Sequence, residues 1–281
     1  MIGIIGGTGL YAMRGFAGMQ AQEVPTPFGA PSGPLLRGTL AGREVAFLAR
    51  HGEGHRLLPG EINFRANIWA LKSVGVRTVI AVSAVGSLRE DIRPGELTLP
   101  SQFLDFTRGT RAASFFGGGV VAHVSSARPV CASTAALVAR VARSLGLRVH
   151  AGSTYACVEG PRLGTRAESL CLRAAGADVV GMTNVPEVFL ALEAQLGYCT
   201  IALATDYDSW LEDPTQHVSA AQIVALFRDN LERVQELLAA VAAQYVEDES
   251  RPCRHSLEGA LVTPLGSLSV AQRALVDFLR L

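Results

Sequence analysis

Ile201–Trp210 reads IALATDYDSW. Its first four residues, Ile201, Ala202, Leu203 and Ala204, form an apolar run expected of a buried strand. They lead straight into two carboxylates two positions apart, Asp206 and Asp208. Where the backbone stays extended, a period of two puts both side chains on one face. Carboxylates at the mouth of an apolar strand are poorly solvated, and desolvation with like charge nearby raises the pKa of at least one. That is how a protein keeps an acid protonated at neutral pH. The same spacing also fits a plainer arrangement, in which Asp206 caps a turn and Asp208 faces water.

The strand belongs to a chain of 281 residues, 49% hydrophobic and 18% charged. That composition suits one compact domain of about 250–300 residues, or two small ones. Lys+Arg and Asp+Glu both number 25, so the net charge is zero. No global field recruits nucleic acid or an anionic membrane, and any anion must be bound locally. The five cysteines, Cys131, Cys157, Cys171, Cys199 and Cys253, show neither CxxC pairing nor metal-like spacing. An odd count, with an N-terminus MIGIIGGTG that lacks a basic n-region, points to a cytoplasmic protein. No apolar run approaches the 18 residues of a membrane span.

Other strand ends carry anion-suited groups. Met1–Ile5 reads as a buried strand that breaks into Gly6-Gly7-Thr8-Gly9, where glycine permits close backbone approach and Thr8 adds a hydroxyl. Gly7–Ala12 also satisfies G-x-G-x-x-A. A dinucleotide unit needs a helix and then an acid-bearing strand, which Arg14–Gly18 and Pro25-Thr26-Pro27 interrupt. Glu44–Ala49 is an apolar strand ending in Arg50, a planar fork for phosphate, and His51, a second donor. Alone, that pair reads better as solvated surface. Thr78–Ser83 empties into Ser83-Ala84-Val85-Gly86-Ser87, whose hydroxyls and N–H groups suit an anion nest. Asp178–Met182 leads to Thr183, close to the N-terminus of a helix with Pro186 in its first turn. Thr165 and Glu168 have capping-box spacing, so Thr165 is either a cap or a ligand contact. Helices are expected at Asn63–Val74, Ser133–Leu145, from Ser219 to about Tyr245, and at Ser269–Arg280. Glu96–Leu99 and Gln102–Phe106 suggest two strands, with a glycine-rich, mobile loop expected at Arg108–Gly119.

IIGGTGL, FLARHGEGH, INFRANIWALK, VSAVGSLRE, VEGPRLGTRAES, GMTNVPEV and ATDYDSW occur in that order. With them, the stretch from about Ile2 to Tyr245 resembles the trimeric purine nucleoside phosphorylase superfamily, specifically its 5′-methylthioadenosine phosphorylase branch. The resemblance implies a three-layer α/β fold, a twisted mixed central β-sheet flanked by helices. It implies a nucleoside phosphorylase domain over 1–246, with a connector and helix at 247–281 packed on that domain or on a neighbouring subunit. A homotrimer or hexamer is implied, with no metal or organic cofactor and inorganic phosphate as co-substrate.

Residue by residue, Thr8, Arg50, His51, Ser83, Ala84 and Thr183 match the family's phosphate ligands, and Met182 matches a residue packed against the ribose. Asp206 and Asp208 match the residues that read the purine, Asp206 nearest N7. The implied reaction is attack of phosphate on the anomeric carbon while protonated Asp206 donates to N7, so that the base leaves neutral. Asp at 206, and Gly at 164 where the 6-oxopurine branch has Glu, favour a 6-aminopurine. Methylthioinosine or another 6-oxopurine nucleoside is the alternative. Thr165 and Ala220 match positions tied to substrate choice, and the small Ala220 leaves room for adenosine or a bulkier 5′ thioether.

Overall fold

The computed structural model describes residues 1–7, 10, 15–212 and 219–281. Among them, nine strands form one sheet in the order β2-β3-β4-β1-β5-β8-β7-β6-β9, and β9 also pairs with β5. β1 (Ile2–Gly6) is apolar and fully buried, and it lies parallel between β4 (Arg43–Ala49) and β5 (Thr78–Ser87). A near-continuous apolar strand is what burial on both faces requires. β2 (Phe16–Gln22) and β3 (Leu35–Leu40) extend this half as antiparallel neighbours of β4. At the other end β5, β8 (Val179–Gly181), β7 (Val149–Val158), β6 (Leu97–Phe106) and β9 (Gly197–Asp206) close on one another, so β5 belongs to both halves.

Helices cover both faces. One core layer contains Phe64, Ile68 and Leu71 of α1 (Phe64–Ser73), Val188 and Leu190 of α4 (Asn184–Glu193), and Leu279 of α7 (Val270–Arg280). The other contains Val138 and Val141 of α2 (Ala132–Ser144) with Val234, Leu237 and Val241 of α6 (Leu231–Gln244). This is the three-layer α/β arrangement expected above.

Local chemistry explains the element boundaries. The Asn63 side chain accepts the Ala66 N–H at 3.1 Å and so opens α1. Thr165 and Glu168 form a reciprocal capping box at the start of α3 (Arg166–Ala174). Three expectations change. The two strands foreseen around residue 100 are one, β6, whose register against β7 shifts at Pro100, a residue with no N–H to give the ladder. The single helix from Ser219 is instead α5 (Ala220–Asp229) followed by α6, divided at Asn230, whose side chain bonds the Leu226 carbonyl at 2.9 Å. Such side-chain competition for the backbone disfavours a helix interior. Residues 108–119 are held by internal hydrogen bonds from Arg111, Ser114 and Phe115. The C-terminal segment reaches the same region: Leu261 bridges to Ala122, and Gln272 donates to the Gly118 carbonyl at 2.8 Å.

Candidate active site

Beyond Ala81, β5 loses β1 as a neighbour, and β8 joins only at Gly86. The edge of residues 82–85 is therefore open between two diverging strands, the kind of switch point where α/β sheets bind ligands. Arg50 follows β4, and its backbone N–H bonds Gly6 at 2.9 Å. Its buried guanidinium donates to the Val82 carbonyl at 2.9 Å and makes a two-pronged ion pair with Glu187, Nε and Nη2 each 2.8 Å from a carboxylate oxygen. Burial opposes the Arg50 charge, but Glu187 outweighs burial and holds the pKa above its ordinary range. Of the five N–H donors on a guanidinium, two remain for a ligand. The Ser83 hydroxyl is buried without a hydrogen-bond partner. Strand alternation places the Ala84 N–H on the same edge as the Val82 carbonyl. Thr183 is the N-cap of α4, and its hydroxyl makes no capping bond. Four of the six expected phosphate ligands thus gather around this opening. Thr8 lies outside the described residues.

His51 differs from the donor expected. Its Nδ1 lies 2.9 Å from the Leu57 carbonyl, which can only accept, so the ring proton sits there. Burial lowers the pKa to about 4, with the neighbouring Arg50 charge adding to the effect and the Leu57 bond opposing it. A neutral His51 therefore presents a lone pair at Nε2. That suits a P–OH group rather than a bare phosphate oxygen.

The acid pair lies further along β5, where Gly86 is in register with Asp206. Asp206 is buried, and its Oδ2 accepts the Asp208 N–H at 2.9 Å. Its Oδ1 is 2.8 Å from the Thr205 hydroxyl. Burial raises the Asp206 pKa and the Asp208 charge reinforces it, while those two hydrogen bonds act the other way. The carboxylates do come together, though not by strand alternation. The strand ends at Asp206, and Asp208 turns back at φ +50°, a conformation Asp tolerates better than most residues. Asp206 therefore caps a turn and is also buried beside a second acid. Ser169 donates to Asp208 Oδ2, and Ser209 donates to the Gly164 carbonyl at 3.0 Å. Gly86 keeps the space open: a Cβ there would stand 3.1 Å from Asp208 Cβ and 3.3 Å from Asp206 Oδ2.

Residues 1–247 match the family model described as the phosphorylase superfamily. The chain belongs to this superfamily. An S-methyl-5′-thioadenosine phosphorylase of Geobacter sulfurreducens is 45% identical over 279 residues, covering 99% of this chain and 97% of its own. The enzyme of that name from Koribacter versatilis is 50% identical over 262 residues, covering 93% and 89%. Among solved structures, a methylthioadenosine phosphorylase from an Antarctic soil metagenomic library superposes with a TM-score of 0.90 at 42% identity, covering 99% and 98%. A Schistosoma mansoni methylthioadenosine phosphorylase in complex with adenine gives 0.88 at 35% identity, covering 93% and 98%. Within the phosphorylase superfamily, these likenesses place the chain in the methylthioadenosine phosphorylase branch.

The remaining residues expected on this phosphorylase site are less closely gathered. Met182 directly precedes Thr183, and its sulfur occupies the space a side chain at Gly160 would need. The Thr165 hydroxyl accepts the Glu168 N–H at 3.2 Å, so its visible role is the cap. Ala220 opens α5, exposed, after its N-cap Ser219. Two site residues escaped the sequence reading. Glu187 is fully buried and also accepts from the Tyr198 hydroxyl at 2.8 Å. Its signal was a lone charge in the apolar run VPEVFLAL, which demands a buried counter-charge. Arg111 lay in what read as loop, and only the fold reveals its contacts. Among the described residues, no three potential metal ligands cluster, and no helix is long and apolar enough to cross a membrane.

Proposed function

We propose that the protein cleaves 5′-methylthioadenosine with inorganic phosphate, giving adenine and 5-methylthioribose 1-phosphate. The observation that carries this reading is the spacing along β5. Ser83 and Ala84 precede Gly86, the partner of Asp206, by two or three residues, about 7–10 Å at strand rise. A nucleoside sugar bridges that span with its anomeric carbon toward phosphate and its purine N7 toward the acid.

Phosphate is held by the two spare Arg50 N–H groups, the Ser83 and Thr183 hydroxyls, the Ala84 N–H and the N-terminus of α4. His51 Nε2 accepts a hydrogen bond from the P–OH group. Preorganised donors of this kind stabilise the reacting geometry without reorganisation. Met182 packs against the sugar. As the glycosidic bond lengthens, Asp206, whose pKa burial raises, protonates N7 in its acid form and the base departs uncharged. Asp208, fixed by Ser169, accepts from the 6-amino group. The small Ala220 supports adenosine as a second substrate. The family resemblance supports a homotrimer or hexamer in the cytoplasm, with residues 247–281 a brace on the 1–246 phosphorylase unit.

Incubation with phosphate and methylthioadenosine, adenosine, methylthioinosine or inosine, with release of free base measured, tests the reading. Adenine release from methylthioadenosine is expected; activity confined to the inosine compounds overturns the choice of base.

A further inference from the structure

Arg111 and Arg50 are both buried arginines beside Thr183, and their donors are used differently. Arg50 keeps two N–H groups free. Arg111 keeps none. Its Nη1 donates to the carbonyls of Met182 and Val185, each at 2.7 Å. Its Nη2 donates to the Glu159 carbonyl at 3.0 Å, and Nε and Nη2 both stand 3.2 Å from Glu159 Oε1. The other Glu159 oxygen accepts the Arg108 N–H at 3.0 Å. The guanidinium also lies over the Phe64 ring, 5.6 Å from its centroid. Committed in this way, Arg111 serves the surrounding backbone rather than a ligand.

What it grips is the four-residue stretch Met182–Val185, which runs from the end of β8 through the irregular first turn of α4. Met182 and Thr183 sit at the start of that stretch. Val185, at its end, has non-helical angles of φ −109° and ψ 127°. The two bonded carbonyls bracket Thr183 and Asn184, so the guanidinium sets the position of the phosphate hydroxyl and of the sugar contact together. We infer that Arg111, anchored by Glu159, is a positioning residue for phosphorolysis that fixes the Met182–Val185 backbone against phosphate and sugar. This rests on the reading of Met182 and Thr183 given above. The requirement is for a planar fork and not merely for a cation, because an ammonium radiating from one point does not reproduce this donor geometry.

The test compares wild type with Arg111→Lys and Arg111→Ala. It measures kcat and KM for phosphate and for methylthioadenosine separately, adenine affinity, and melting temperature. Displacing a reacting group by about 1 Å costs on the order of 10²-fold. Folded Arg111→Lys is therefore expected to lose about that factor in kcat/KM for phosphate. Adenine affinity, which depends on Asp206 and Asp208, should stay within about 2-fold, since 1.4 kcal/mol would be needed for tenfold. Millimolar guanidinium ion should restore part of the activity of Arg111→Ala. Phosphate kcat/KM in Arg111→Lys close to wild type overturns the inference. So does an equal loss of adenine affinity, which marks a general structural role, and so does a folded Arg111→Ala that guanidinium leaves inactive. If Arg111→Lys does not fold, rescue of Arg111→Ala decides the matter, and failure of both variants to fold overturns a specific positioning role. Absence of phosphorolysis in the wild type would instead strike the functional reading itself.

Discussion

Replacing Glu187 by Gln probes the Arg50 ion pair without changing its shape. The carboxylate is fully buried and takes three hydrogen bonds, two from Arg50 and one from Tyr198, all at 2.8 Å. Glutamine offers one acceptor and one NH₂, so a donor must face an Arg50 donor, and the buried guanidinium loses its counter-charge. Removing one partner of a buried pair costs about 3–5 kcal/mol. At about 2–4 °C per kcal/mol for a chain of this class, the melting temperature should fall by about 6–20 °C. Denaturant unfolding followed by fluorescence gives the free energy directly. The double variant Arg50→Met with Glu187→Leu replaces the pair by apolar groups and should regain most of the stability, because such swaps are often neutral or better. It should nevertheless fail to turn over phosphate, and phosphate should no longer raise its melting temperature. A Glu187→Gln protein within about 1 kcal/mol of wild type, well below the cost of an orphaned buried charge, would refute the reasoning. A double variant that still phosphorolyses nucleosides would do the same.

Two further outcomes follow from the site. His51 holds its neutral form down to about pH 4, whereas an unperturbed histidine takes up its proton near 6.5. Below 6.5 the unfolded chain binds a proton that the native state refuses, so this group's contribution to stability falls as pH drops from 6.5 to about 4. The loss is up to about 3 kcal/mol, and His51→Asn should remove it; identical stability–pH curves for variant and wild type would dismiss it. Gly164→Glu introduces a carboxylate where a Cβ would stand 3.9 Å from Asp208 Oδ2. At about 1–4 kcal/mol of repulsion for charges 4 Å apart near a surface, adenine-nucleoside kcat/KM should drop by about 5-fold to 10³-fold. The ratio of inosine to adenosine turnover should rise, and an unchanged ratio would count against position 164 as a base-selecting site.

The sequence was most readable where chemistry and periodicity coincide. Strands β1, β4, β5 and β9 are unbroken apolar runs, and groups at their ends lie where a parallel sheet collects ligands. The edge strand β2 and its neighbour β3 were not foreseen; in β2, FAGMQAQ is mostly exposed and lacks apolar alternation. Asp206 and Asp208 were correctly paired by a wrong geometry, since a positive φ two residues beyond a strand leaves no mark in composition. His51 was legible as a candidate at the end of β4 but not in its protonation state, which depends on burial and on a carbonyl six residues away. Arg111 was invisible as a positioning group because its partners lie 48 to 74 residues along the chain.

Asp206→Asn tests the heart of the account, especially when assayed on two nucleosides. On methylthioadenosine, whose base must leave protonated, turnover should fall by about 10²–10⁴-fold, the usual worth of a general acid, while the fold and phosphate binding persist. On a nucleoside whose base departs readily as an anion, the same variant should lose less than about 10-fold, since proton donation then contributes little to the transition state. Near-normal cleavage of methylthioadenosine, or equal losses on both substrates, would contradict protonation of the departing adenine by Asp206.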